Sequence, residues 1–300
     1  HLNMQDHLWD GIKRDRLVWV GDLHPEMKVI STVFGHHEIL PQSLNLARDE
    51  APLPRFINDH FSYSLWWIII QRDWYRHHGD RDNLEEQRDY LLALLEQLAG
   101  YDTATLPEGF LDWPTSPNKD AVRAGMYALM AMAFDAGAEL CEVLGEAADR
   151  KVCLTAAERW RGDTLPHDNV KTVAALQALA GAIAPDEANT SVLAKAPLEG
   201  VSTFYGYYVL EARAKAGDYQ GCLDVIRKFW GAMLDFGATT FWEDFDLSWT
   251  ENAGPIDEIV PEGMKDLHVD YGDFCYKGLR HSLCHGWAGG PTAWLSEHVL

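Results

Sequence analysis

Apolar residues recur through most of this chain at the 3.6-residue period of amphipathic helices. Between residues 59 and 78 they occupy one helix face: Tyr63, Trp66, Trp67, Ile70 and Trp74. Gly79 then predicts a helix end, and Asp80 or Asp82 predicts the N-cap of the next helix, which reaches Gly100. This pattern predicts two helices joined as an antiparallel hairpin.

The same succession of helix, Gly-Asp break and helix returns later in the chain. Gly217 and Asp218 separate two helical segments, 201–216 and 219–236, and further helices are predicted at 120–144, 147–161 and 169–182. Almost no run alternates apolar and polar residues, so strands are poorly supported. Roughly nine to eleven helices in hairpins can stack as an open solenoid or close into an α/α toroid. No fixed repeat of about 34 or 40 residues is present, which argues against the solenoid.

The composition of the chain indicates a folded protein without a membrane-spanning segment. Of 300 residues, 47% are hydrophobic, enough for a large core, and the longest apolar run, 65–70, is too short to span a membrane. We therefore expect a soluble protein. The first residues show neither the basic nor the apolar region of a signal peptide, and the compartment stays open.

The acidic balance and the missing motifs exclude several functions. With 46 acidic against 25 basic residues, the net charge is −21, which disfavours nucleic acids and anionic membranes but is compatible with a neutral sugar. Five scattered cysteines form no CxxC motif, and the paired histidines at 36–37 and 77–78 do not form HExxH. No nucleotide-binding loop is present. The sequence predicts no metal and no cofactor.

Two segments depart from the helical pattern, 6–26 and 238–273, and both are rich in Trp, Asp, Glu and Gly. Carboxylates beside tryptophans suit glycoside hydrolysis, because one carboxyl protonates the departing oxygen while another activates water or attacks the anomeric carbon. Aromatic faces stack on sugar rings. The competing interpretation is that the charged residues form surface ion pairs and the tryptophans are core. Neither segment alone decides between the glycosidase and the structural interpretation.

Segment 10–22 resembles the catalytic-loop signature of the inverting α-L-rhamnosidases, whose catalytic domain is an (α/α)6 barrel of six helical hairpins. That signature consists of an Asp, an Arg four residues later, the general acid, a Trp and a closing Gly-Asp pair, matched here by Asp10, Arg14, Asp15, Trp19, Gly21 and Asp22. Residues 239–243 (TTFWE) are similar to the segment that carries the family's general base. Residues 282–287 (SLCHGW) are similar to its Ser-Leu-x-His segment. The three motifs stand in the family's order and extend over nearly the whole chain.

The resemblance implies a role for each matched residue. Asp15 would be the general acid, and Glu243 would be the general base that activates water. The residues expected to contact the sugar are Asp10, Arg14, Trp19, Asp22, Trp242 and His285. Inversion requires two carboxyls roughly 6.5–9.5 Å apart. Because residues 15 and 243 are far apart in sequence, they can meet only if the helical ring closes.

One matched position departs from the family pattern. The family's general acid is usually Glu, whereas this chain has Asp15, whose side chain is shorter by one methylene. Three explanations stay open. The loop is shifted inward, Glu26 serves as the acid instead, or the site binds sugar without hydrolysing it.

We therefore expect residues 1–300 to form one all-α (α/α)6 catalytic domain that lacks parts at both ends, including the family's flanking β-sandwich domains. The expected activity is release of terminal, non-reducing α-L-rhamnose from a carbohydrate substrate with inversion. The alternatives are an inverting six-hairpin glycosidase for a different sugar and a non-catalytic carbohydrate-binding relative.

Overall fold

The computed structural model describes all residues from 1 to 300, and its architecture is helical. The α-helices are α1 (Val20–Val33), α2 (Ile39–Glu50), α3 (Phe61–His78), α4 (Arg81–Ala99), α5 (Lys119–Leu144), α6 (Ala147–Gly162), α7 (Lys171–Leu179), α8 (Pro185–Ala188), α9 (Gly206–Lys215), α10 (Tyr219–Val225), α11 (Gly231–Asp235) and α12 (Gly290–His298). A π-helical turn follows α8, and another joins α10 to α11. Two strands of two residues each, β1 (Ala253–Gly254) and β2 (Lys265–Asp266), pair in parallel.

Six of these helices form a closed inner ring. In sequence order, α1 packs on α3, α3 on α5, α5 on α7, α7 on α9 and α9 on α12, and α12 returns to α1. The helices between them lie outside this ring; α6, for example, packs along α5 and against α4. The prediction of an all-α fold of the (α/α)6 type is confirmed, and the closed ring of six inner helices excludes the open solenoid.

The inner helices all run in the same direction. Residues at the start of α1 and α3, Asp22 and Tyr63, line a cavity at one end of the ring. Residues further along the same helices, Lys28 and Arg76, line a second cavity of about 500 Å³ at the opposite end. Side chains from all six inner helices line this second cavity. The loops that precede the inner helices therefore gather at the first end.

Helix boundaries follow the local signals in the sequence. α3 ends where Gly79 adopts a left-handed conformation (φ 63°), which glycine tolerates without a steric penalty. α4 begins where the side chain of Asp80 accepts a hydrogen bond from the backbone N–H of Asn83. Both predicted boundaries are confirmed.

Two predicted boundaries were wrong. The helix expected at 201–216 begins only at Gly206. Segment 6–26 was expected to lie outside the helices, yet α1 starts at Val20. Val20, Leu23, Met27 and Ile30 are buried at spacings of three and four, so α1 also has an apolar face toward the core.

No helix has the length and apolar character needed to cross a membrane.

Candidate active site

A cavity of about 310 Å³ opens at the end of the ring where the inner helices begin. Its walls come from segment 10–22, from segment 238–289 and from the loops before α3 and α5. Every residue predicted from the sequence to act in the site lines this cavity, with the exception of Trp242: Asp10, Arg14, Asp15, Trp19, Asp22, Glu243 and His285. The closed ring thus brings together three segments that are distant in sequence.

Segment 10–19 is folded into a tight loop by its own hydrogen bonds. The backbone N–H of Asp10 donates to the carbonyl of Leu17 (3.0 Å), and the N–H of Leu17 donates to Oδ1 of Asp10 (3.1 Å). At the tip, Asp15 and Arg16 both adopt positive φ (53° and 56°), which is uncommon for residues with a side chain. The side chain of Asp15 is 36% exposed, so it lies at the mouth of the cavity.

Arg14 links the two candidate catalytic carboxylates. Its Nη1 lies 3.2 Å from Oδ2 of Asp15, while its Nη2 donates to Oε1 of Glu243. The guanidinium is held in place by a bond from Nε to the carbonyl of Arg280 (2.9 Å) and lies over the ring of Tyr276 (5.1 Å). One planar group thus fixes both carboxylates on the same cavity, as the fork geometry of arginine allows.

Glu243 is buried, and hydrogen bonds hold its side chain, its backbone N–H and its backbone carbonyl. Its Oε2 accepts the backbone N–H of Ser282 (3.1 Å), and its own N–H donates to the Ser282 carbonyl (2.9 Å). Its carbonyl accepts the hydroxyl of Thr203 and the indole N–H of Trp287 (2.9 Å). Burial raises the pKa of the Glu243 carboxyl, while His285 and Arg14 oppose that rise. Because burial disfavours the anion, this carboxyl accepts a proton more readily than an exposed glutamate does.

Two further carboxyls lie behind this pair. Nε2 of His285 lies 2.9 Å from Oδ1 of Asp22, and Nδ1 of the same ring lies 3.6 Å from Oε1 of Glu243. Burial and the neighbouring Asp22 raise the pKa of Asp10 to about 7. Burial also raises the pKa of Asp22, although its position in the first turn of α1 favours the anion.

Trp242 does not belong to this cavity. Its side chain is fully buried and packs edge-on against Phe245, with the ring centroids 5.6 Å apart. Glu243 faces the cavity, whereas Trp242 is part of the hydrophobic core. The prediction that Trp242 contacts a sugar is therefore corrected.

Glu26, the alternative acid, also lies outside the cavity. It sits within α1, is buried, and accepts a hydrogen bond from the side chain of Asn3 (3.1 Å). Its carboxyl packs so closely on Gly286 that a Cβ there would lie 1.4 Å from Oε1. This position gives Glu26 no access to the cavity that Asp15 and Glu243 share, so the idea that it replaces Asp15 is corrected.

Several aromatic wall residues were missed by the sequence analysis, namely His60, Tyr63, Phe110, Trp113, Tyr276 and Trp287. Phe110 and Trp113 are half-buried and precede α5 in a proline-containing loop, a place where aromatic residues could have been recognised as candidates. Trp113 stacks near Phe274 (6.5 Å between centroids), which extends the aromatic wall outward. Tyr276 carried no local signal, because its placement depends on how segment 238–289 folds back on the ring.

The structure offers one group of side chains with the spacing of metal ligands, and it lies away from this site. Glu211, Glu297 and His298 bring their ligand atoms within 4.8 Å of one another, and the two glutamates line the opposite cavity. The histidine pairs of the sequence do not form such a group. His36, for example, faces the carboxylates of Glu38 and Asp80.

Comparison with known proteins places the fold beside one group of solved structures. No family model and no curated protein matches the chain. The GH78 family rhamnosidase of Bacillus sp. GL1 matches with a TM-score of 0.72 and 21% identity over 98% of this chain. The α-L-rhamnosidase of Aspergillus terreus (0.70, 16% identity, 98% of this chain) and that of Dictyoglumus thermophilum (0.68, 17%, 97%) follow.

This chain has the fold of the matched part of those rhamnosidases. It spans about a third of their length, with 33%, 37% and 35% of the three chains covered. At this level of identity the comparison establishes the helical fold. The activity has to be argued from the cavity.

Proposed function

We propose that this chain is the catalytic domain of a glycoside hydrolase that releases terminal, non-reducing α-L-rhamnose with inversion at the anomeric carbon. The observation that carries the proposal is the bridge formed by Arg14 between Asp15 and Glu243, two carboxylates from distant parts of the chain on one cavity. Support for rhamnose comes from the three sequence motifs and from the activity named for the solved structures that share the fold.

In this mechanism the two carboxyls act on opposite sides of the sugar. Asp15, at the open mouth of the cavity, gives its proton to the departing glycosidic oxygen. Glu243, on the buried wall, takes a proton from a water molecule, and the oxygen of that water forms the new bond to the anomeric carbon. Because water enters opposite the leaving group, the configuration inverts.

The other residues of the cavity wall provide the polar and aromatic groups that bind sugars. Asp10 and Asp22 provide carboxyl oxygens that bond to hydroxyl groups, and Trp19 provides an aromatic face, packed edge-on against Tyr63. Arg14 already binds both catalytic carboxylates, so its proposed task is to set their separation. This role is proposed beside the expected contact of Arg14 with sugar hydroxyls.

The proposal is tested by assaying the chain with p-nitrophenyl α-L-rhamnopyranoside beside Glu243→Gln. We expect turnover that falls by about 10³-fold or more in this variant, because the amide cannot take a proton from water. Glu139→Gln, which alters a partly buried glutamate at the opposite end of the ring, should keep wild-type activity. NMR of the first sugar released should show the β anomer.

Two outcomes would point to the alternative functions. Wild-type chain that is inactive on rhamnosides but active on another glycoside would indicate a different sugar with the same chemistry. Rhamnose binding measured by calorimetry without turnover of any glycoside would indicate a binding protein. The second possibility is worth testing because Asp15 is shorter than glutamate and its carboxylate is already engaged by Arg14.

A further inference from the structure

Three side chains that can bind a metal ion converge at the end of the ring opposite the candidate active site. Glu211 belongs to α9, and Glu297 and His298 belong to the last turn of α12. Two carboxylates and one imidazole thus offer ligand atoms that all lie within 4.8 Å of one another. Nε2 of His298 lies 3.1 Å from Oε1 of Glu211. Tetrahedral ligands bound at about 2.0–2.1 Å are roughly 3.3 Å apart, so small side-chain rotations bring all three onto one ion.

The charges at this place favour a cation. The side chain of Glu211 is only 19% exposed, and burial together with the charge of Glu297 raises the pKa of its carboxyl. Lys28, another cation that faces Glu211, lies 3.4 Å from Oδ2 of Asp73 and is paired there. A divalent ion between Glu211 and Glu297 would therefore offset a repulsion that the neighbouring lysine leaves in part.

Tyr207 provides an independent indication of a ligand beside the two glutamates. It stands one turn before Glu211 on α9, is 2% exposed, and lines the same cavity as Glu211 and Glu297. Its hydroxyl forms no hydrogen bond, although buried tyrosine hydroxyls usually find a partner. Burial and then the charges of both glutamates raise the pKa of this hydroxyl, which places it near their carboxylates. A water molecule on a bound metal ion would supply the missing partner.

The imidazole of His298 is held in place by two aromatic rings. Trp294, one turn earlier on α12, lies 4.9 Å from it between centroids, and Tyr219 lies 5.8 Å from it. These contacts limit rotation of the imidazole and keep Nε2 directed at Glu211. Ligands whose orientation is set by their neighbours bind metals more tightly, because less ordering is needed when the ion arrives.

We propose that Glu211, Glu297 and His298 bind one Zn²⁺ ion, and that the Tyr207 hydroxyl bonds to a water molecule on that ion. Zinc fits a set of one imidazole and two carboxylates, whereas Ca²⁺ prefers oxygen ligands alone. The ion would link α9 to α12, whose packing is one of the contacts that close the ring. Its role is structural, and it is independent of the proposed hydrolysis at the other end.

The binding test is calorimetric titration of chelator-treated protein with ZnCl₂. We expect one ion per chain, and an affinity that falls on the order of 10²-fold or more in Glu297→Gln and His298→Gln. His36→Gln is the matched control, because His36 also faces two carboxylates, Glu38 and Asp80, outside the convergent group. Failure of wild type to bind Zn²⁺, or equal binding by His298→Gln, would overturn the proposal. Binding of CaCl₂ as tight as that of ZnCl₂ would overturn the assignment of His298.

A spectroscopic test identifies the ligands, because the five free cysteines of the chain could also bind zinc. CoCl₂ replaces ZnCl₂ in this experiment. Nitrogen and oxygen ligands should give visible d–d bands without the intense near-ultraviolet charge-transfer absorption of a cobalt–thiolate bond. These bands should be lost in His298→Gln and kept in His36→Gln. A thiolate band would assign the ion to a cysteine and overturn the proposal.

A stability test examines the link between α9 and α12. At a free ZnCl₂ concentration 100-fold above Kd, the melting temperature of wild type should rise on the order of 5 °C, and that of His298→Gln should not. Tyr207→Phe removes only the unpartnered hydroxyl, so it should fold and bind Zn²⁺ about 10-fold more weakly. An unchanged melting temperature would overturn the structural role.

Rhamnoside hydrolysis at room temperature separates this proposal from the proposed function. Zinc-loaded and chelator-treated wild type should hydrolyse p-nitrophenyl α-L-rhamnopyranoside at the same rate, because the ion lies at the opposite end of the ring from Asp15 and Glu243. Zinc binding without hydrolysis would remove the proposed function and retain the metal site. A rate that depends on zinc would overturn the purely structural role of the ion.

Discussion

Oδ2 of Asp112 accepts a hydrogen bond from the hydroxyl of Ser202, at 3.0 Å, and thereby joins the loop before α5 to the loop before α9. The same buried carboxyl accepts the backbone N–H of Thr115 (3.0 Å) and the hydroxyl of Thr172 (3.3 Å). Asp112 stands between Phe110 and Trp113, two aromatic residues of the cavity wall. One carboxylate thus fixes part of the wall to the ring.

Replacing Asp112 by Asn should destabilise the protein and loosen this wall. The amide nitrogen cannot accept, so at least one buried donor loses its partner, at a cost of about 1–3 kcal/mol. Urea unfolding measures the loss, and tryptophan fluorescence reports the wall. Asp89→Asn, whose side chain is 94% exposed, is the control and should leave stability nearly unchanged. Equal stabilities for both variants would contradict the role given to Asp112.

Arg14→Lys should reduce turnover although it preserves the charge. A lysine ammonium cannot reproduce both the ion pair with Asp15 and the hydrogen bond to Glu243, and misplacement of about 1 Å can cost on the order of 10²-fold in rate. Initial rates on the rhamnoside measure the effect. Arg16→Lys, in the same loop but exposed, should remain close to wild type. A fully active Arg14→Lys would mean that the bridge is not needed.

Asp15 offers a test in both directions. Asp15→Asn should lower kcat by about 10²–10⁴-fold, because the amide has no proton to give to the leaving oxygen. Asp15→Glu lengthens the side chain by one methylene and should raise kcat if reach limits the rate. Steady-state kinetics with a poor leaving group, such as methyl rhamnoside, makes the requirement for an acid visible. Retained activity in Asp15→Asn would assign the acid to another group.

Asp10 should make the protein less stable as the pH rises. Burial and the nearby Asp22 raise its pKa from 3.8 to about 7 in the folded state, so the folded protein holds a proton that the unfolded chain has lost between these values. Stability therefore falls as the pH increases through this window. With about 1.36 kcal/mol for each pKa unit, the loss is on the order of 4 kcal/mol.

The measurement is guanidinium unfolding of wild type and Asp10→Asn at pH 5 and pH 8. Asparagine cannot ionise, so the variant should gain on wild type at pH 8 compared with pH 5. The same difference at both pH values would show that Asp10 does not titrate in this way. If Asp10 bonds to sugar hydroxyls as proposed, Asp10→Asn should also bind the sugar less well.

Much of the fold was accessible from sequence because its signals are local. The apolar face of α3, the stop at Gly79 and the cap at Asp80 each depend on residues within a few positions of one another. Closure of the ring is not local, since it rests on contacts between α1 and α12. It was expected from the missing repeat period, from the resemblance to a family with an (α/α)6 barrel, and because residues 15 and 243 had to meet.

The cavity was predictable to the extent that its residues lie in motifs. Asp10, Asp15 and Glu243 stand in such segments, and the structure brings them to one cavity. Which side chains of a segment face the cavity was not predictable. Trp242 was therefore expected in the cavity but lies in the core, whereas its neighbour Glu243 lines the cavity as expected. The aromatic wall around Tyr276 depends on long-range packing, which periodicity and motif spacing do not encode.

The common direction of the six inner helices also has an electrostatic consequence. Each helix carries about half a positive charge at its N-terminus and half a negative charge at its C-terminus. Six parallel helices therefore make the end that holds Asp10, Asp22 and Glu243 favourable for anions, within a chain of net charge −21. At the other end the partial charges are negative, and the cavity there is lined by both cations, such as Lys28 and Lys215, and carboxylates, such as Glu139 and Glu211. The ring thus sets up a field along its axis, which lowers the cost of gathering carboxylates in a single cavity.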